Sequence, residues 1–171
     1  MGKMVVVYTS ETGFTQRYAK WIADELAVEC HELSEYEINA EDTVIYGGWI
    51  YGGNIVDLYK VVGKVKELVV FAVGSLPYNE EDVEDIIYKN NLDYVPFFYM
   101  ESGIRFEKLN SLKQMALEYE RTEAEIKDDD EKTIIDEYVS DLVGDSFDNS
   151  DKQYIYDLVN YVKENYACNI K

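Results

Sequence analysis

Short apolar runs rich in β-branched residues alternate along this chain with segments of helical period, and that alternation most restricts what it can fold into. Residues 3–8 read Lys-Met-Val-Val-Val-Tyr, residues 43–46 read Thr-Val-Ile-Tyr, and residues 68–73, Leu-Val-Val-Phe-Ala-Val, form the most apolar stretch. Runs apolar at every position suit strands covered on both faces, as in a parallel sheet. Residues 28–33 offer a shorter alternating strand, and residues 94–99, Tyr-Val-Pro-Phe-Phe-Tyr, a last one. Between them, Tyr18, Trp21, Ile22 and Leu26 recur at helical spacing after Gly13, and Val83, Ile86 and Ile87 do so within residues 80–89. A modest helix is also expected at residues 57–65. The fold class implied is α/β, with a doubly wound parallel sheet.

The remainder reads as a helical insertion at about residues 104–148, followed by a closing helix. Leu109, Leu112, Met115, Ala116 and Tyr119 share one helical stripe; Ile134, Ile135, Tyr138, Val139 and Leu142 share another. The acidic run Asp128-Asp129-Asp130-Glu131 separates the two as a solvated linker. Ser150 or Asp151 can cap a final helix whose Ile155, Leu158, Val159 and Val162 face inward. At 171 residues, the expectation is a single domain spanning residues 1–171.

Charge narrows the functional classes. With 35 acidic against 16 basic residues, the net charge of −19 disfavours nucleic acid and anionic lipid, and it favours a protein partner with a basic docking surface. Solubility alone is the plainer explanation. No apolar run reaches the length of a membrane span, and the N-terminus lacks the apolar core of a signal peptide, so a cytoplasmic protein is expected. Cys30 and Cys168 have no metal-ligand spacing and read as reduced thiols, and His31, the single histidine, reads as structural. No metal site and no catalytic acid or base is expected.

Three loops at the carboxyl ends of expected strands carry the chemistry. The first is Ser10-Glu11-Thr12-Gly13-Phe14-Thr15, immediately before a helix. Orphan N–H groups and the dipole at a helix N-terminus attract an anion, the hydroxyls add donors, and the glycine lets the backbone curl around it. There is no G-K-[ST] lysine and no G-x-G-x-x-G, and no Lys or Arg falls between Tyr8 and Gln16, which points to an uncharged cradle for a phosphate monoester. An ordinary hydroxyl-rich cap is the alternative.

The second loop is Gly47-Gly48-Trp49-Ile50-Tyr51-Gly52-Gly53-Asn54, in which glycines would admit a flat ligand and Trp49 or Tyr51 could stack on it. Packing of both aromatics on the sheet is the alternative. The third is Gly74-Ser75-Leu76-Pro77-Tyr78-Asn79, whose backbone could meet the ring's polar edge. Open α/β sheets bind ligands outside the carboxyl ends of their strands, so the three loops converge on one site for a phosphate-bearing flat ring such as a flavin.

The pattern [ST]-x-T-G-x-T in residues 10–15 resembles the phosphate loop of the flavodoxins. The resemblance implies strand order 2-1-3-4-5, bound FMN, phosphate contacts from Ser10, Thr12, Gly13 and Thr15, and ring contacts from the loops at Trp49 and Ser75. The expected cofactor set is Ser10, Glu11, Thr12, Gly13, Phe14, Thr15, Gly48, Trp49, Ile50, Tyr51, Gly52, Gly74, Ser75, Leu76 and Tyr78. Residues 95–99 and 103–109, with the insertion after the last strand, more narrowly resemble the menaquinone-dependent protoporphyrinogen oxidases, although residues 118–131 are acidic where that family's insertion is basic and apolar.

Three functions follow as expectations. The first is an FMN-binding electron carrier between redox proteins. The second is an oxidase of the protoporphyrinogen type, with a small-molecule substrate under residues 104–112. The third is a non-redox binding module that docks a partner through its acidic helices.

Overall fold

In the computed structural model, which describes residues 2–133, 136, 137, 139, 140 and 146–166, the apolar runs lie side by side in one sheet. Its strands are β1 (Met4–Thr9), β2 (Glu29–Glu32), β3 (Thr43–Tyr51), β5 (Glu67–Gly74) and β6 (Phe97–Glu101), in the order β2-β1-β3-β5-β6 and all parallel. A short β4 (Asn54–Ile55) folds back antiparallel on the end of β3. With β4 set aside, this is the 2-1-3-4-5 order expected, and the chain reverses direction across the sheet between β1 and β3.

Both faces of the sheet are covered, as the unbroken apolar runs require. Val6, Ile45, Val69 and Phe71 point to one side and pack with Tyr18, Ile22 and Leu26 of α1 (Phe14–Leu26) and with Leu158 and Val162 of the closing helix. Val5, Val7, Val44, Tyr46, Val70 and Ala72 point to the other, against Leu58, Val61, Leu92 and Ile86 of α2 (Glu80–Lys89). Side chains alternate between faces along each strand, so one run of valines feeds two cores.

Gly47 shows how tightly the first core is built. It sits opposite Phe71 in the β3–β5 register, and a Cβ there would lie 2.0 Å from the Phe71 ring. The ring occupies the space that any side chain at 47 would need.

Several elements differ from expectation. Residues 57–65 form no α-helix, only a 3-10 turn at Leu58–Lys60, entered through Asp57 in the left-handed region and capped at Val61, with Gly63 turning the chain further at φ 73°. β3 continues through residues 47–51, so Gly47, Gly48, Trp49 and Ile50 are strand rather than loop. The turn is confined to Gly52 and Gly53, whose φ values of 55° and 77° suit a tight hairpin. β6 begins only after Pro96, which has no N–H to donate but whose carbonyl accepts from Val70 N at 2.8 Å.

The insertion opens with β7 (Gly103–Ile104), continues into α3 (Ser111–Ile126) and returns through β8 (Phe147–Asp148), which pairs antiparallel with β7 and ties the two ends together. Of the stripe read on α3, Leu112, Met115 and Tyr119 are exposed. The second expected insertion helix, at Ile134 to Leu142, falls largely outside the described residues. The chain closes with α4 (Tyr156–Asn165), preceded by a 3-10 turn that Asp151 caps by accepting from Gln153 N at 2.8 Å. His31, in β2, stacks on Tyr36 and lies 3.1 Å from Glu29. No helix among the described residues is long and apolar enough to cross a membrane.

Candidate functional site

At the carboxyl end of β1 the chain turns through residues 10–13 into α1. Gly13 is the N-cap, held at φ 96°, and its N–H donates to Ser10 Oγ at 3.1 Å. No side chain caps α1, whereas Asn79 caps α2 by accepting from Asp82 N and Asn110 caps α3 by accepting from Lys113 N. The first turn of α1 therefore presents its N–H groups beside the hydroxyls of Ser10, Thr12 and Thr15, the geometry that accepts an anion.

That loop forms one wall of a cavity of about 380 Å³. On its other side lie Trp49, Ile50, Tyr51 and Gly52 at the end of β3 and Val73 and Ser75 at the end of β5. The Trp49 and Tyr51 rings are 5.6 Å apart at 62°, an edge-on pair at the cavity wall. The loop after β5 is fixed from β6: Tyr99 donates to the Leu76 carbonyl at 2.6 Å, and Ser102 donates to the Gly74 carbonyl through both its N–H and its hydroxyl, at 2.8 and 3.0 Å. A second cavity, of about 370 Å³, continues behind Tyr51 along this loop to Asn79 and Val83.

The insertion supplies the remaining wall, through Ile104, Arg105, Leu109, Lys113 and Leu117 among others. Lys113 of α3 forms an ion pair with Glu11 and holds its ammonium 4.4 Å from the Trp49 ring centroid and 5.5 Å from that of Tyr51. Arg105 donates from Nη1 to the Thr12 carbonyl at 2.7 Å and lies 4.4 Å over the Phe14 ring. Arg17, one turn into α1, donates to Asp148 at 2.7 Å and to Ser150 Oγ at 2.5 Å. Burial works to raise the Asp148 carboxyl, but hydrogen bonds from Ser150 and Arg17 outweigh it and hold the group below its ordinary range. The uncharged cradle read from residues 10–15 is thus corrected: cations reach that loop from α1 and from the insertion.

Of the residues expected to hold a cofactor, Ser10, Glu11, Thr12, Phe14, Thr15, Trp49, Ile50, Tyr51, Gly52 and Ser75 line the main cavity. Gly13 faces a neighbouring groove, and Gly74 and Leu76 line the second cavity. Gly48 is buried in the sheet, where a Cβ would meet Ile55 at 2.6 Å, and Tyr78 is exposed with its ring 6.3 Å from that of Tyr99. Arg105 and Lys113 are not among the cofactor contacts expected from the sequence, although the oxidase reading places the stretch that contains Arg105 over a substrate. No local pattern marks either residue.

The residues present fit the mononucleotide expected. An uncapped helix N-terminus with hydroxyls lies at one end of the cavity and aromatic rings at the other, in a space of the size small ligands occupy. Among the described residues, no group of three or more His, Cys, Asp or Glu side chains is arranged to hold a metal.

The flavodoxin domain matches residues 5–115 of the chain. Solved structures similar to it include a flavodoxin from the domain Archaea, at 14% identity and TM-score 0.39, covering 58% of this chain and 84% of that one. Oxidised flavodoxin 2 from Bacillus cereus is similar at 16% identity and TM-score 0.34, covering 58% and 86%. No curated protein matches the chain.

Proposed function

Because the chain belongs to the flavodoxin-domain family, we propose that the cleft at the carboxyl edge of its sheet binds FMN and that the protein carries electrons between redox partners. The observation that carries this reading is the uncapped N-terminus of α1 opening into the same cavity as Trp49 and Tyr51. FMN supplies one- and two-electron chemistry when bound. The chain's part is to position it: Ser10, Thr12, Thr15 and the first N–H groups of α1 bind the phosphate, Trp49 and Tyr51 flank the ring, and the loop at Gly74 to Leu76 meets its polar edge. No side chain is assigned a proton-transfer role.

The chain acts in this reading as one domain, with the insertion as part of its cofactor site. A reducing, cytoplasmic setting suits Cys30, which is a free thiol. The test is the absorption spectrum of the protein as purified: a yellow flavin band is expected. A colourless protein that fails to quench the fluorescence of added FMN refutes the assignment.

The insertion over the cavity favours a second reading, an oxidase of the menaquinone-dependent protoporphyrinogen type. Ile104, Leu109 and Leu117 would cover a flat substrate beside the ring. Anaerobic mixing of FMN-loaded protein with protoporphyrinogen should then bleach the flavin band, and an unchanged spectrum leaves the carrier reading alone.

A further inference from the structure

Beside the phosphate loop lies a groove of about 490 Å³, lined by Arg17, Lys20, Arg105 and Lys108 together with Gln16, Gly13, Thr12 and Glu11. Four cations converge here in a protein of net charge −19. Arg17 and Arg105 are held in place, the first by Asp148 and Ser150, the second by the Thr12 carbonyl, with Asp148 also 4.0 Å from Arg105. Lys20 and Lys108 are exposed and make no ion pair among the described residues. Three carboxylates lie nearby: Glu11 is already paired with Lys113 and Asp148 with Arg17, while Glu107 accepts from Ser146 and also feels Lys108 and Arg105, which leaves four groove cations against three acids of which one is neutralised by Lys113. The groove therefore retains positive charge, and the surrounding acidic surface would otherwise repel an anion.

Glu11, Thr12 and Arg105 are walls of both this groove and the main cavity, so a ligand whose phosphate sits at residues 10–15 has the groove directly beside that phosphate. We propose that the groove receives the second phosphate of a dinucleotide flavin, so that the cleft accepts FAD as well as FMN. This rests on the flavin reading: the ring and first phosphate take the main cavity, and Lys20 and Lys108 with the two arginines bind the added charge. Charge-assisted hydrogen bonds from planar guanidinium groups and mobile ammonium groups suit a pyrophosphate.

The test titrates the deflavinated full chain with FMN and with FAD, alongside a Lys20→Gln/Lys108→Gln variant whose changes lie on the exposed surface. FAD should bind with a Kd within about tenfold of that of FMN, and the variant should lose about tenfold or more in FAD affinity while FMN changes by less than about twofold. If FAD binds more weakly by a larger factor, or if the variant weakens both flavins equally or neither, the proposal fails and FMN binding stands. If neither flavin binds, the flavin reading itself fails. Should inorganic pyrophosphate bind to the FMN-loaded protein while FAD is rejected, the groove serves a separate anionic reactant and the dinucleotide proposal is overturned.

Discussion

Where residues 10–13 enter α1, Gly13 makes a left-handed turn beneath the Arg105 guanidinium, and a Cβ on it would lie 2.9 Å from Arg105 Nη1. The positive φ is what calls for glycine here, and a side chain would in addition displace the tip of Arg105. Gly47 is constrained differently, by the Phe71 ring. Gly47→Ala should destabilise the fold by about 1–3 kcal/mol through overpacking. Combined with Phe71→Leu, it should cost less than the sum of the two single changes, a coupling that denaturant titration of the four proteins would measure. Cys30 offers a pH test. Burial raises its thiol to about 11, with Lys20 working against the shift. A folded pKa above the unfolded one favours the protonated form, so this contribution to stability is full below about pH 8.5 and is lost as pH rises toward the folded value. Peptide mapping after iodoacetamide treatment at about pH 8 should show Cys30 alkylated much more slowly in folded than in denatured protein.

Among the elements, α3 is the one whose role its own sequence conceals. Its apolar residues share one stripe, yet Leu112, Met115 and Tyr119 face outward, and Lys113 joins Leu117 and the buried Ala124 among the residues turned inward. Periodicity reports which residues share a face and is silent on what that face meets. A lysine inside the helix contributes to the docking, its ammonium meeting a carboxylate and two aromatic rings at once. Lys113→Met should cost no more than about 1 kcal/mol, since a partly exposed ion pair and a cation–π contact are each small. It should nevertheless alter the emission of Trp49, read in a Trp21→Phe background. Unchanged emission would mean that α3 is held against the cleft by its apolar contacts. By contrast, α1 and α2 were legible from the helical spacing of their apolar residues, which turns Tyr18, Ile22 and Leu26 of α1 and Ile86 of α2 toward the sheet. The segment at 57–65 was not: Leu58 and Val61 are buried there as an irregular plug, and burial without helical backbone leaves the same apolar spacing.

Across the whole molecule, charge and topology act over different ranges. The net charge of −19 is a long-range property that favours encounter with a basic partner. If that partner is a cationic redox protein, its association rate should fall at least about tenfold between low and high salt, as the Debye length contracts from about 30 Å at 0.01 M to about 3 Å at 1 M. Stopped-flow electron transfer would record it, and a rate independent of salt would assign the acidity to solubility alone. By itself the sequence determined the parallel sheet, the helices that flank it and the three segments gathered at its carboxyl edge. These follow from side-chain periodicity and from turn chemistry within a few residues of each other. Only the tertiary structure decided the electrostatics and the enclosure of that edge. Arg105 reaches Thr12 across 93 positions of chain and Lys113 reaches Glu11 across 102. Contacts at such separations are set by how the insertion packs back on the sheet, and they leave no periodic trace in the order of residues.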